Sequence, residues 1–255
     1  MTHISNTGSL FTTARKMLLD AVFPAACVNC ADFIDEPGNL CLRCWPQMTY
    51  ISAPFCSICG FPFEFDRDTA HICGNCIRRR PAFGRARAVL QYDDASRDMV
   101  LGYKHSDKTD RVPAFANWMY RAGVSLVNDC DIICPVPLHS HRLIKRRFNQ
   151  SALLARQLSK LSAKPVSPDM LIRTRPTRSQ GGLSARARHV NVQGVFQANP
   201  DRLPLIEKAR ILLIDDVLTT GATVEACCNR LLRAGATEVN VLTFSRVVRP
   251  SNTAI

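Results

Sequence analysis

Residues 211–223, ILLIDDVLTTGAT, constrain this chain more than any other stretch. Four consecutive apolar residues, mostly branched, show no polar alternation. A strand built from them must be covered on both faces, as in a parallel sheet. The run stops at Asp215 and Asp216, so both acids sit where the strand leaves the core. A polar turn follows, and then a helical pattern. Gly221 permits backbone angles that a Cβ forbids. The turn and the start of the helix offer unpaired N–H groups and the positive end of a dipole. With the hydroxyls of Thr219, Thr220 and Thr223 this makes a cradle for a phosphate. Its candidate residues are Leu218, Thr219, Thr220, Gly221, Ala222 and Thr223. The paired aspartates beside it can hold Mg²⁺ or polar hydroxyls. Two blander readings compete. The magnesium strand of a P-loop ATPase needs a G-x-x-x-x-G-K-[ST] segment, which this sequence lacks. A plain strand–turn–helix leaves two adjacent aspartates and three threonines around one glycine unexplained.

Cysteine spacing carries the second constraint. Of twelve cysteines, eight form four C-x-x-C pairs before residue 77: Cys27 and Cys30, Cys41 and Cys44, Cys56 and Cys59, Cys73 and Cys76. In a reducing compartment that spacing means metal. Two four-thiolate sets suit two tetrahedral Zn²⁺ ions, and such closed sites are structural. We take the pairs as sequential; the spacing also permits a cross-braced arrangement. Redox dithiols and an iron–sulfur cluster are the alternatives, and four repeated pairs argue against the first. Residues 25–80 hold too little apolar material for a core of their own, so metal should supply the folding energy. His71 beside the third pair reads as a surface residue, since the cysteines already complete both sets.

Before this region, residues 1–24 read as a loose tip followed by an amphipathic helix. After it, from 81 to 255, strands alternate with helices, which means an α/β domain with a largely parallel sheet. Residues 85–92 form a strand, residues 93–101 a helix, and residues 112–126 a further helix. Asp131-Ile-Ile-Cys-Pro-Val-Pro-Leu138 is a short strand ending in a loop that two prolines stiffen. Arg142, Lys145, Arg146 and Arg147 then crowd the loop ahead of a helix beginning near Ser151. In an open α/β sheet such a loop lies where ligands bind, and arginine forks grip diphosphate oxygens. Residues 175–194 are Arg-, Ser- and Gly-rich and read as a mobile loop.

Asp215-Asp216-Val217-Leu218-Thr219-Thr220-Gly221 resembles the signature by which type I phosphoribosyltransferases bind PRPP, 5-phosphoribosyl 1-diphosphate. Taken with the cysteines, nearly the whole chain resembles the ComF family, bacterial proteins with a double zinc ribbon ahead of a phosphoribosyltransferase domain. The resemblance implies a type I phosphoribosyltransferase-like sheet, with residues 218–223 on the 5′-phosphate. Asp215 and Asp216 would meet the ribose hydroxyls or Mg²⁺ as the catalytic pair. Arg142 and Arg146 would lie by the diphosphate, and Lys104 would sit in the family's lysine-bearing turn. It also implies a lid carrying Gln180, Leu183, Arg186, Arg188, Asn191 and Val192. The chain departs from the family at Arg147, where glycine is usual.

A net charge of +12 over 255 residues favours anionic partners. The apolar runs are too short for a membrane span, and no signal peptide is evident, so the expectation is cytoplasmic. The partners expected are PRPP or a phosphoribosyl nucleotide. The acceptor of any transfer stays open. A second reading keeps the pocket as a recognition site in an adaptor that binds single-stranded DNA or proteins of DNA uptake and processing.

Overall fold

The computed structural model describes residues 24–64, 71–105, 109–139, 148–177 and 184–248. The helix expected over residues 1–24 lies outside them, apart from Pro24. The chain divides into two compact units, Met1–Gln47 and Met48–Ile255.

The smaller unit is organised by Cys27, Cys30, Cys41 and Cys44, whose sulfurs cluster. Tight turns present them: Ala31 N donates to Cys27 O at 3.0 Å, and Cys44 N to Cys41 O at 3.0 Å. Cys27, Val28, Leu40 and Cys44 are buried, whereas Phe33 and Leu42 face outward. Among the described residues of this unit only these four are buried, too few for a core, so their order depends on the thiolate cluster.

The larger unit is built on strands β1 (Ala86–Gln91), β2 (Ile132–Pro135), β3 (Leu171–Arg173), β4 (Phe196–Ala198), β5 (Arg210–Leu218) and β6 (Glu238–Arg246). Four of them make a parallel sheet in the order β1-β6-β5-β2, and β3 pairs antiparallel with β4 apart from it. The register sets Ile211 beside Val239, Asp215 beside Thr243 and Leu218 beside Arg246. Residues 211–214 are all buried, as expected of a strand covered on both faces.

Five helices of eight residues or more accompany these strands among the described residues: α1 (Asp94–His105), α2 (Val112–Ala122), α3 (Gln150–Ser162), α4 (Ala185–Val192) and α5 (Ala222–Arg233). Phe115 of α2 stacks on Phe244 of β6 at 4.1 Å between ring centroids, with Tyr103 of α1 edge-on to Phe115 at 5.5 Å. Ile211, Leu213, Val239 and Val241 instead share a cluster with Cys227 and Leu231 of α5.

The helix expected over residues 112–126 is two helices, α2 and Val124–Asp129, divided at Gly123. A Cβ at Gly123 would lie 2.6 Å from Leu242 Cδ1, so the chain approaches the sheet where only glycine fits. The loop expected over residues 175–194 contains α4, which Ser184 caps by accepting from Ala187 N. Sequence reading weighted the glycines there and passed over Ser184, whose hydroxyl can start a helix.

The second cysteine set does not stand apart from the sheet. Cys56, Ile58, Cys73, Cys76 and Phe83 belong to the same buried cluster as Leu213 and Leu231. Ala86 N of β1 donates to Ile58 O at 2.7 Å, and Gly60, at φ +68°, lies so close that a Cβ would meet Ala86 O at 2.6 Å. Residues 49–51 run antiparallel along the outer edge of β1, where Tyr50 bridges to Leu90. Residues 48–64 and 71–80 are therefore built into the α/β unit.

Candidate phosphate site and metal centres

Parallel pairing brings the carboxyl ends of β2, β5 and β6 to one edge, where open α/β sheets bind ligands. Asp215 and Asp216 stand there, half-buried. Asp215 Oδ1 accepts from Ser151 Oγ at 3.0 Å and from the Asp216 amide at 2.9 Å. Asn149 caps α3, its Oδ1 accepting from the amides of Ser151 and Ala152. The same side chain donates through Nδ2 to Val136 O at 3.0 Å, and Val136 N donates to Ile214 O at 2.9 Å. The Pro-Val-Pro loop, the start of α3 and the acids of β5 are thus locked together. Tyr103 arrives from α1, its hydroxyl donating to Gln150 O at 2.6 Å. Burial pushes the Tyr103 phenol well above its usual range, and the charge of Asp216 adds to this.

Beyond Asp216 the chain turns through Leu218, Thr219, Thr220 and Gly221 into α5. Leu218 and Ala222 are buried and anchor the turn. Gly221 is left-handed at φ +80°, and a Cβ there would meet no atom within 4 Å, so the turn borders open space. The amides of Thr219, Thr220, Gly221 and Ala222 find no acceptor among the described residues. Thr220 Oγ1 is buried and equally without a partner. A buried hydroxyl left so costs about 1–3 kcal/mol, which a ligand oxygen would offset. Thr223 follows Ala222 in the first turn of α5. An oxygen-rich anion fits these donors and the dipole behind them.

Lys104 belongs to the last turn of α1, next to Tyr103. Arg142 and Arg146 lie outside the described residues, as do Gln180 and Leu183. Ser151 went unmarked in the sequence, although its place just after the Asn149 cap is a legible signal. Arg246, at the end of β6, was also missed. It is buried, donates to Cys59 O, and lies over the Phe61 ring at 5.5 Å.

A cavity of about 510 Å³ opens beside the turn, between it and the second cysteine set. Its lining includes Leu218, Thr219, Thr220, Gly221, Arg246 and Val247 on one side and Cys59, Cys73, Cys76 and Asn75 on the other. Arg79 at its rim pairs with Glu225 of α5 at 2.9 Å.

The cysteines group sequentially: Cys27, Cys30, Cys41 and Cys44 in one set, Cys56, Cys59, Cys73 and Cys76 in the other. Within each set the sulfurs lie within 4.8 Å of one another, with 3.6 Å between Cys30 and Cys41 and between Cys59 and Cys73. A tetrahedron of thiolates at the usual ~2.3 Å from zinc has edges of about 3.8 Å, so both sets fit the ion. The Cys59 side chain, with the amides of Cys73 and Cys59, holds the Cys56 thiol down to about 4, favouring the thiolate a metal needs. His71 belongs to neither set.

Residues 18–77 match the double zinc ribbon domain, and residues 151–249 match the phosphoribosyl transferase domain. The DNA utilization protein YhgH of Escherichia coli K12 is 30% identical over 82% of this chain and 91% of its own length. The chain belongs to the ComF family. Competence protein F of Haemophilus influenzae is 28% identical to this ComF protein over 88% of the chain and 98% of its own. Competence protein ComFC of Bacillus subtilis is 25% identical over 90% and 94%. The zinc ribbons and the phosphoribosyltransferase-type sheet are thus family features. Among the described residues, no helix is long and apolar enough to cross a membrane.

Proposed function

We propose that the edge of the sheet binds a 5-phosphoribosyl compound such as PRPP, with its 5′-phosphate on residues 218–223. The observation that carries this is the set of partnerless donors there, four amides and the Thr220 hydroxyl, at the start of a helix. Asp215 and Asp216 lie one turn earlier, within reach of the ribose hydroxyls. Their carboxylate oxygens are the donors Mg²⁺ prefers, and the ion would offset charge on the departing diphosphate. Ser151 and the Asp216 amide fix the orientation of Asp215, so its negative charge is in place before positive charge develops on the sugar. In a transfer, the bond from C1 to the diphosphate oxygen breaks and its electron pair leaves with the diphosphate. A lone pair of the acceptor then forms the new bond at C1. Arg142, Arg146 and Lys104 are proposed for the diphosphate side.

The experiment is diphosphate release from PRPP by zinc-loaded protein, across candidate acceptors. Asp216→Asn is expected to lower release at least tenfold. Equal release by both proteins would overturn the role given to the acids. A second reading has the same pocket serving an adaptor for nucleotide or DNA. The names of the relatives, DNA utilization and competence, support it, as does the net charge of +12. PRPP binding without turnover under any acceptor would favour it.

A further inference from the structure

The second cysteine set reaches the turn after β5 by two routes, one to each end of the turn. The first route starts at Cys59. Its carbonyl accepts from Arg246, the residue that pairs with Leu218 in the register of β5 and β6. Val247 N then donates to Leu218 O at 2.9 Å, which pins the entry to the turn. The second route starts at the short helix Gly74–Arg78, which carries Cys76. Arg79, directly after it, donates to both carboxylate oxygens of Glu225, at 3.2 and 2.9 Å. Glu225 lies in the first turn of α5, and its amide donates to Gly221 O at 2.8 Å.

We infer that the second zinc centre controls the phosphate turn: its knuckles fix the geometry of the turn through Arg246 and cancel the charge of Glu225 through Arg79. The inference rests on the phosphate reading above and concerns how that site is regulated. The knuckles have two states. Closed on metal, they hold the Cys59 carbonyl in place, with the amides of Cys59 and Cys73 donating to Cys56 Sγ at 3.5 and 3.3 Å and Gly60 N donating to Cys56 O at 2.8 Å. Opened by loss of metal, they fix neither that carbonyl nor the helix that carries Arg79. Arg246 is 8% exposed, and its Nε has no acceptor among the described residues. Loss of the carbonyl as well strands more of a buried guanidinium beside Leu218, so the strand end must shift. Loss of Arg79 uncovers Glu225. The dipole of α5 draws an anion to the start of the helix, and an unmatched carboxylate in the same turn repels it. Metal and phosphate thus favour the same state of the knuckles, and two ligands that do so are coupled in both directions.

The test uses the full chain and reads binding rather than turnover. PRPP with Mg²⁺ is titrated by calorimetry into the zinc-loaded wild type, Arg79→Gln, Glu225→Gln and the double variant. The Arg79 side chain is 67% exposed, and an ion pair so placed adds little to folding, so the variants should keep two zinc ions. Arg79→Gln is expected to bind at least threefold more weakly than wild type. Adding Glu225→Gln should bring the affinity back to within twofold of Glu225→Gln alone. If the double variant stays weak, Arg79 touches the ligand itself and the inference falls. It falls also if Arg79→Gln binds as wild type does. The coupling is read separately by loading the thiolate sets with ¹¹³Cd and following its two magnetic resonance signals, assigned with Cys30→Ser, which should lack that of the first set. The signal of the second set should shift as PRPP is added, saturating at the calorimetric affinity, and that of the first set should shift less. An unmoved second signal, or equal shifts in both, overturns the inference while the phosphate reading stands. If PRPP fails to bind the wild type, the phosphate reading falls, and this inference with it.

Discussion

Thr220 separates a structural from a functional account of the turn. Its hydroxyl is buried and bonded to nothing among the described residues, so it adds nothing evident to folding. Thr220→Val keeps the shape and removes the hydroxyl. We expect stability in urea to hold or rise by up to about 1 kcal/mol, because an unsatisfied buried group is removed. Affinity for PRPP should fall by about tenfold, the worth of one hydrogen bond to a charged oxygen. A variant that loses stability and binds normally would make the hydroxyl structural. At this scale the sequence was informative where residue type and backbone need coincide, as at Gly221 and the acids before it. It was silent on Ser151 and Arg246, because their roles come from contacts 64 and 187 positions away in the chain.

The elements show which local signals prevail. The strand at 211–214 was legible because four buried apolar residues admit no other element between an acid pair and a turn. The helix α5 ends as its glycine suggests: Ala236 N donates to Leu231 O and Gly235 N to Leu232 O, with Gly235 at φ +104°. Leu161, in the last turn of α3, is 37% exposed. The two cysteine sets looked equivalent in sequence and are not. Residues 48–64 and 71–80 contribute to the sheet's core, while the described residues of the smaller unit rely on their thiolates. Zinc release to a chelator should therefore occur in two phases. One ion per chain should leave quickly with local loss of structure, and the other slowly, near the rate of global unfolding. Dye-monitored release from the wild type and from Cys30→Ser would check this. The variant should lack the fast phase. A single phase, or loss of the slow phase in the variant, would contradict the difference drawn between the sets.

The molecule as a whole combines a basic chain, two four-cysteine sets that fit zinc, and a sheet edge whose carboxyl ends gather two acids, the amides of the turn and Arg246. Much of this was legible. The parallel sheet, the thiolate sets and the glycine turn after β5 each follow from short stretches of sequence. The cavity was not, because it forms only where the second cysteine set meets β6, a contact between distant parts of the chain. The central claim is that the turn after β5 seats a sugar phosphate beside Asp215 and Asp216. Calorimetric titration of the zinc-loaded protein with PRPP and Mg²⁺ tests it most directly, with Asp215→Asn in parallel. The account predicts one saturable site per chain, and an affinity at least tenfold weaker in the variant. No saturable binding at millimolar ligand, or equal affinity in both proteins, would contradict it.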